Sequence, residues 1–191
     1  MRESLVKSIV ECFKGGNFVE IGTHTGQFAD HILNSSDDNS VLYCVDPYAS
    51  YENYNDAINL TTGDATFTTA HAQLTCKYGE SRVTFVRKMS EDAVGDIPDE
   101  IDFLYIDGNH SYSYVYRDLE LYYPKVKSGG CIVGDDAVDV DESARDANGD
   151  VLIVWSEGCY GHYGVIKAFR DFCRNNNVVG ELVGNQYIIR K

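Results

Sequence analysis

The sequence predicts a doubly wound α/β fold with a mainly parallel sheet, and three observations carry that prediction. First, Ile101–Ile106 is an apolar run with one interruption, Asp102, as expected of a strand covered on both faces. It breaks at Asp107-Gly-Asn-His110. Second, a similar run, Gly130–Gly134, ends in Asp135-Asp136, 28 residues beyond Asp107. That interval holds one helix and its two connections, the length of a right-handed crossover between neighbouring parallel strands. Third, strand-like and helix-like segments alternate along the chain and finish in a hairpin, which adds one antiparallel strand at the end. Three carboxylates are thereby expected at the carboxyl ends of adjacent strands, the edge where open α/β sheets bind ligands.

The elements follow in order. Leu5, Ile9 and Phe13 fall at helical spacing over residues 3–14, and Gly15-Gly16 stop that helix. Phe18–Ile21 is a strand, Gly22–Gly26 a turn and Gln27–Leu33 a helix. After the polar loop 34–40, Val41–Val45 is a second strand ending at Asp46-Pro47. Residues 48–80 are the least regular, rich in Tyr, Thr and Asn, with helical pieces expected near 52–59 and 66–77. Arg82–Val86 is a third strand, and Ser90–Val94 starts a short helix. Apolar positions 112, 115, 116, 119, 123 and 126 mark an amphipathic helix, with Ser111 as its cap and Pro124 disturbing its last turn. An acidic loop runs to Asp150, followed by a strand over Val151–Trp155. Val165, Ile166, Phe169, Phe172 and Cys173 mark a last helix. Val178–Val183 and Tyr187–Arg190 form the closing hairpin across Gly184-Asn185.

At 191 residues the chain is read as one domain, 1–191, with a sizeable core. A net charge of −14 argues against nucleic acid and anionic membranes as partners and suits a cationic ligand or a metal ion. The six cysteines include no C-x-x-C pair, and Cys44 and Cys131 lie within apolar runs, so free thiols in a reducing, cytoplasmic compartment are expected. There is no signal-peptide pattern and no apolar run of membrane-spanning length.

The turn Glu20-Ile-Gly22-Thr23-His24-Thr-Gly26 lets backbone approach a ligand and leads into a helix N-terminus. A dinucleotide fingerprint needs a third glycine where His24 stands, which counts against a nicotinamide cofactor and an oxidoreductase or epimerase. Asp46, closing the second strand, can accept both hydrogens of a ribose diol. Asp146-x-Asn148-x-Asp150 is spaced like a calcium loop, but Val151 replaces the required glycine, so a turn is the better reading.

Val19–Gly26 resembles motif I of class I S-adenosylmethionine-dependent methyltransferases. Ile106–Tyr112, Arg117-Asp-Leu119, Gly129-Gly130 and Val133–Asp136 resemble the metal-dependent branch that holds macrocin-type sugar O-methyltransferases, and catechol O-methyltransferases share its metal spacing. The resemblance is best over 18–46 and 82–136 and does not extend in detail to 48–80 or 137–160. It implies a Rossmann-like, doubly wound, mainly parallel seven-stranded sheet with a C-terminal antiparallel strand. It also implies S-adenosyl-L-methionine held by Glu20, Gly22, Thr23, His24, Gly26 and Asp46, with Ser90 and Glu91 at the adenine and Asp107 beside the cofactor. Asp107, Asp135 and Asp136 would bind Mg²⁺ or Mn²⁺ through oxygen. Catechol enzymes carry Asn at the position of Asp136. His110 takes the place of a lysine base in that branch, and the catalytic pair is then His110 and Asp107.

The acceptor implied is a small molecule or glycan with vicinal hydroxyls. A cation chelating two vicinal oxygens acidifies the attacking one, and an imidazole can take its proton. His110 reads equally well as a satisfied turn residue. Tyr48, Tyr51 and Tyr54 fit either ring stacking or lid packing, and Tyr160 and His162 either the substrate or the surface. Segments 48–80 and 137–150 are expected to be lids over the site. The segment before motif I is short for the family, which leaves a larger cap or dimer arm unaccounted for and a homodimer open.

Overall fold

The computed structural model describes residues 2–52, 54, 57–137, 152–155, 159–162 and 164–191, with 152–155 and 159–162 as backbone. The acidic loop from 138 to 150, its calcium-like spacing, and the side chains of Tyr160 and His162 lie outside the described residues.

The helices are α1 (Arg2–Val10), α2 (Gln27–Ser35), α3 (Asp64–Tyr78), α4 (Ser90–Ala93), α5 (Tyr112–Tyr122) and α6 (Val165–Asn176). The strands are β1 (Gly16–Ile21), β2 (Ser40–Val45), β3 (Val83–Val86), β4 (Ile101–Ile106), β5 (Val126–Gly134), β6 (Leu152–Trp155), β7 (Cys159–His162), β8 (Gly180–Val183) and β9 (Gln186–Arg190). Seven strands form one sheet in the order β3-β2-β1-β4-β5-β9-β8. The pairs from β3 to β5 are parallel, and β9 runs against both β5 and β8, so the expected single antiparallel strand is present. Strands β6 and β7 make a separate hairpin that periodicity did not reveal.

Chain order reverses direction between β1 and β4, which opens a crevice at their carboxyl ends. All six residues of β4 are buried, because side chains alternate between two covered faces. Leu104 and Ile106 pack with Leu119, Phe169 and Phe172 beneath α5 and α6. Phe103 and Tyr105 pack with Val6, Phe28 and Ile32 beneath α1 and α2. Helix α1 stops at Val10, earlier than expected. Helix α5 ends at Tyr122, and Pro124 sits in the tighter turn Tyr123–Lys125 that follows. Ser111 stands at its cap position without a side-chain cap bond; instead Asn109 Oδ1 accepts the Ser111 N–H at 2.9 Å.

Asp102, the one polar residue of the central strand, has a local cause. The register of β4 against both neighbours shifts beside it. There Oδ2 accepts the Asn17 N–H at 2.9 Å and the carboxylate pairs with Lys127. A Cβ on Gly16 would fall 2.2 Å from Asp102 Oδ2, so the glycine makes room for the carboxylate. Asp102→Ala would leave a half-buried amide and a half-buried ammonium unpaired. We expect a loss of about 1–3 kcal/mol in urea unfolding, with Asp102→Asn losing less; an unchanged midpoint for the alanine variant would show that the carboxylate is not needed there.

Candidate active site at the carboxyl edge of the sheet

Strands β4 and β5 deliver their acids side by side. The Asp107 N–H donates to Ile21 O at 2.9 Å and the Asp135 N–H to Ile106 O at 3.0 Å, so both residues are still held by the sheet as the chain turns away. Asp136 follows with φ 54, a left-handed conformation uncommon outside glycine. Side chains of Asp107, His110 and Asp136 converge, with one ligand atom from each lying within 4.8 Å of the others. His110 Nε2 stands 3.4 Å from Asp107 Oδ1 and 3.5 Å from Asp136 Oδ2. Burial and the charge of Asp135 push the Asp107 carboxyl up, while His110 and Arg2 pull it down.

Asp135 is placed differently. Its side chain is 2% exposed and is met by four donors. Oδ2 accepts from the Arg2 guanidinium and from the Tyr105 hydroxyl at 3.1 Å. Oδ1 accepts from the Asp136 N–H at 2.9 Å and faces Asn185 Nδ2 at 3.4 Å. Gln186 in turn donates to the Tyr105 hydroxyl at 3.1 Å. Of the three acids expected at one centre, Asp107 and Asp136 converge with His110, while Asp135 is bonded on both oxygens within the chain.

The turn after β1 forms the second half of the site. Gly22 has φ 93, and a Cβ there would lie 2.1 Å from Asp107 O; the chain ends leaving the parallel neighbours β1 and β4 can approach only because that atom is missing. His24, in the place of a third glycine, adopts φ 45, and its N–H donates to Asp46 Oδ2 at 2.9 Å. Tyr48, at φ 49, donates its N–H to Asp46 Oδ1 at 2.7 Å. Two amides therefore aim the Asp46 carboxylate, while burial raises its pKa. Glu20 is 1% exposed, and burial, its dominant perturbation, pushes its carboxyl up to about 8. Among the described residues, Glu20 Oε2, Thr23 Oγ1, His24 Nε2 and the Tyr48 hydroxyl are buried without hydrogen-bond partners. Buried polar atoms are normally paired, so four such atoms around one turn fit a polar ligand.

A cleft of about 650 Å³, counting the space open to solvent, runs along this edge past Gly22, His24, Asp46, Ser90 and Asp107. Tyr51 and Tyr54 line it as a stacked pair, with ring centroids 5.2 Å apart and planes at 14°. With Ile58, Asn59 and Thr62, they bring part of the expected lid, residues 48–80, to the cleft wall. Ser90 also lines it, its hydroxyl donating to Asp118 Oδ1, and Tyr122 donates to Ser90 O at 2.8 Å. Glu91 pairs with Arg117 and does not line the cleft.

Residues 19–137 match the family model described as methyltransferase domain, which covers more than half of the chain. The chain belongs to this family. Among curated proteins, the methyltransferase chain is 36% identical over 110 residues to an uncharacterized protein of Acanthamoeba polyphaga mimivirus, over 55% of this chain and 49% of that protein. It therefore matches about half the length of that relative. Among solved structures, an O-methyltransferase from Bacillus cereus in complex with SAH superposes with a TM-score of 0.68 at 15% identity, covering 100% of this chain and 80% of that one. The O-methyltransferase TomG from Streptomyces achromogenes, in complex with SAM, gives 0.63 at 12%, covering 100% and 79%. At such identity these two likenesses concern the fold. They agree with the seven-stranded sheet found here.

Three residues at this edge were not singled out in sequence. Arg2 lies 133 positions from Asp135 and carried no local signal. Tyr105 read only as part of an apolar strand. Asp118 sat inside a family-like motif without a role; it is 3% exposed, and burial pushes it up to about 7. Its position on the inner face of the helical repeat, where an apolar residue belongs, was the available signal.

Folding raises the pKa of the Glu20 carboxyl. Its folded pKa, about 8, lies above its ordinary value of 4.5, so the folded state holds the proton more tightly than the unfolded one. Its contribution is complete below about pH 4.5 and is lost as pH rises through 8. Asp118 acts in the same direction over its lower range. Thermal unfolding followed across this window should show stability falling less steeply with pH in Glu20→Gln than in the wild type. Parallel curves would show that Glu20 is not the titrating group.

Proposed function

We propose that residues 1–191 act as one S-adenosyl-L-methionine-dependent O-methyltransferase domain, with a small-molecule or glycan acceptor bearing vicinal hydroxyls. The observation that supports this most directly is the set of unpartnered buried atoms on Glu20, Thr23, His24 and Tyr48, around the turn that shares its cleft with Asp107. When bound, the cofactor supplies a sulfonium methyl group. Its amino-acid end would lie toward Glu20, over the Gly22–Gly26 turn, and its ribose on Asp46. The adenine would lie toward Ser90. Glu91, turned toward Arg117, has the weakest claim of the expected contacts.

Mg²⁺ or Mn²⁺ fits the carboxylate oxygens that converge at Asp107 and Asp136, with the His110 imidazole beside them as a proton acceptor rather than a ligand. Held there, the cation would lower the pKa of an acceptor hydroxyl, and Asp135 would join as a further oxygen ligand only once one of its present donors gives way. The protein's part is to hold the acceptor in line with the methyl group, which supplies much of the rate. His110 Nε2, within 3.5 Å of both Asp107 and Asp136, is placed to take the hydroxyl proton. The Tyr51–Tyr54 wall suits the flat face of a ring, which keeps a catechol-type acceptor as the second reading.

Calorimetry should show binding of S-adenosylmethionine and none of NAD(H). Asp46→Ala should weaken that binding by about 1.5–3 kcal/mol, the range for a hydrogen bond to a charged group; unchanged affinity would take the ribose away from Asp46. Methyl transfer to a panel of glycans and catechols should stop in EDTA and return with Mg²⁺ or Mn²⁺, and full activity in chelator would remove the metal from the reaction.

His110→Ala should slow transfer by about 10²–10⁴-fold, the range for losing a general base, and flatten the rate across the imidazole titration range. A slow variant with an unaltered pH profile would make His110 a ligand or structural residue instead.

A further inference from the structure

Three carboxylates gathered at one edge repel each other, and in this chain a guanidinium answers that repulsion. Arg2 bonds Asp135 Oδ2 and stands 3.3 Å from Asp107 Oδ2. Its guanidinium carbon also lies 4.4 Å from the centre of the Phe28 ring, which fixes it from the α2 side. Helix α1 is seated independently of this contact. Val6, Ile9 and Val10 are buried in the same core cluster as Phe28, Ala29, Ile32 and Leu33, and Glu3 O meets His31 Nε2 at 2.8 Å. The guanidinium is therefore carried to the acids by a helix that would remain packed if Arg2 let go.

The lone pairs of Asp135 define what this arrangement excludes. A carboxylate offers about four acceptor positions. Arg2, Tyr105, the Asp136 amide and Asn185 approach all of them. Tyr105, the amide and Asn185 are neutral donors held by strand or turn. Arg2 is the one of the four that brings charge, and its side chain is 41% exposed, so it has a route out.

We propose that Arg2 is the chain's own counter-cation for the acid centre, and that a divalent cation reaches Asp135 only by displacing the Arg2 guanidinium. This rests on the metal reading given under Proposed function and adds to it a residue that sets metal affinity. Arg2 is a positioning residue here. Its guanidinium acts through Asp107 and Asp135 and needs no contact with an acceptor.

The test is Mn²⁺ binding by calorimetry to the cofactor-free protein, which needs no turnover. Arg2→Met keeps an unbranched apolar stem and removes the charge. It should bind Mn²⁺ about tenfold more tightly than the wild type, the low end of a charged hydrogen bond, because the rival is partly exposed. Arg2→Lys retains a competing cation and should stay close to the wild type. Lys7→Met removes a charge from the same helix, away from the acids, and should also leave the affinity unchanged. The proposal is overturned if Arg2→Met binds no more tightly than the wild type, or if Lys7→Met tightens binding as much, since bulk charge would then account for the effect. Mn²⁺ bound equally by wild type and Arg2→Met leaves the metal reading standing and removes the competition alone. No Mn²⁺ binding by either protein removes both.

Discussion

The desolvation of carboxylates at one edge of the sheet is the constraint on which the rest of this structure turns. Glu20, Asp46, Asp107 and Asp135 come from the ends of four neighbouring parallel strands, and each sits at least partly out of water. A buried charge has to be paired, hydrogen-bonded or neutralised. The chain uses a different solution for each. Asp46 keeps two backbone amides, and those amides come from His24 and Tyr48, both held at positive φ. Asp135 keeps four donors, one of them a cation. Asp107 shares His110 and Arg2 with its neighbours. Glu20 has an oxygen without a partner and meets the cost by holding its proton up to about pH 8.

These solutions divide the edge into two halves with different character. Around the Gly22 turn polar atoms are left over: oxygens, an imidazole nitrogen and a phenol without a hydrogen-bond partner among the described residues. Around Asp135 the opposite holds, and the acceptor positions are taken. An edge that is under-satisfied on one side and internally compensated on the other suits a ligand that fits a preformed pocket on the first side. On the second side a newcomer has to exchange with a group already in place. The strand order creates this juxtaposition, since β1 and β4 are neighbours in space and far apart in sequence.

The same accounting explains the polar residues buried away from the edge. Asp102 interrupts the central strand where the ladders shift register, and there it serves an amide and a lysine that the regular ladder would leave unserved. Asp118 occupies an inward position of an amphipathic helix because Ser90 reaches it from α4. In both cases a polar side chain at an apolar position marks a place where two elements are tied together by hydrogen bonding as well as by packing.

The sequence by itself determined the alternation of strands and helices, the strand ends at Asp46, Asp107 and Asp135, the turn at Gly22–Gly26 and the closing hairpin. These are written in local periodicity and in turn chemistry, which act over a few residues. The hairpin of β6 and β7 was only half legible, because β7, Cys159-Tyr-Gly-His162, carries too little alternation to read as a strand. Tertiary structure alone decided which partners each carboxylate has. Arg2 and Asp135 are 133 positions apart, and their contact follows from α1 packing on α2 beneath the same sheet face that buries Tyr105. Spacing brought three acids to the carboxyl ends of adjacent strands. They are not equivalent, because the partners that compensate a buried charge come from whatever the fold brings within hydrogen-bonding distance, and that distance is not encoded in sequence separation.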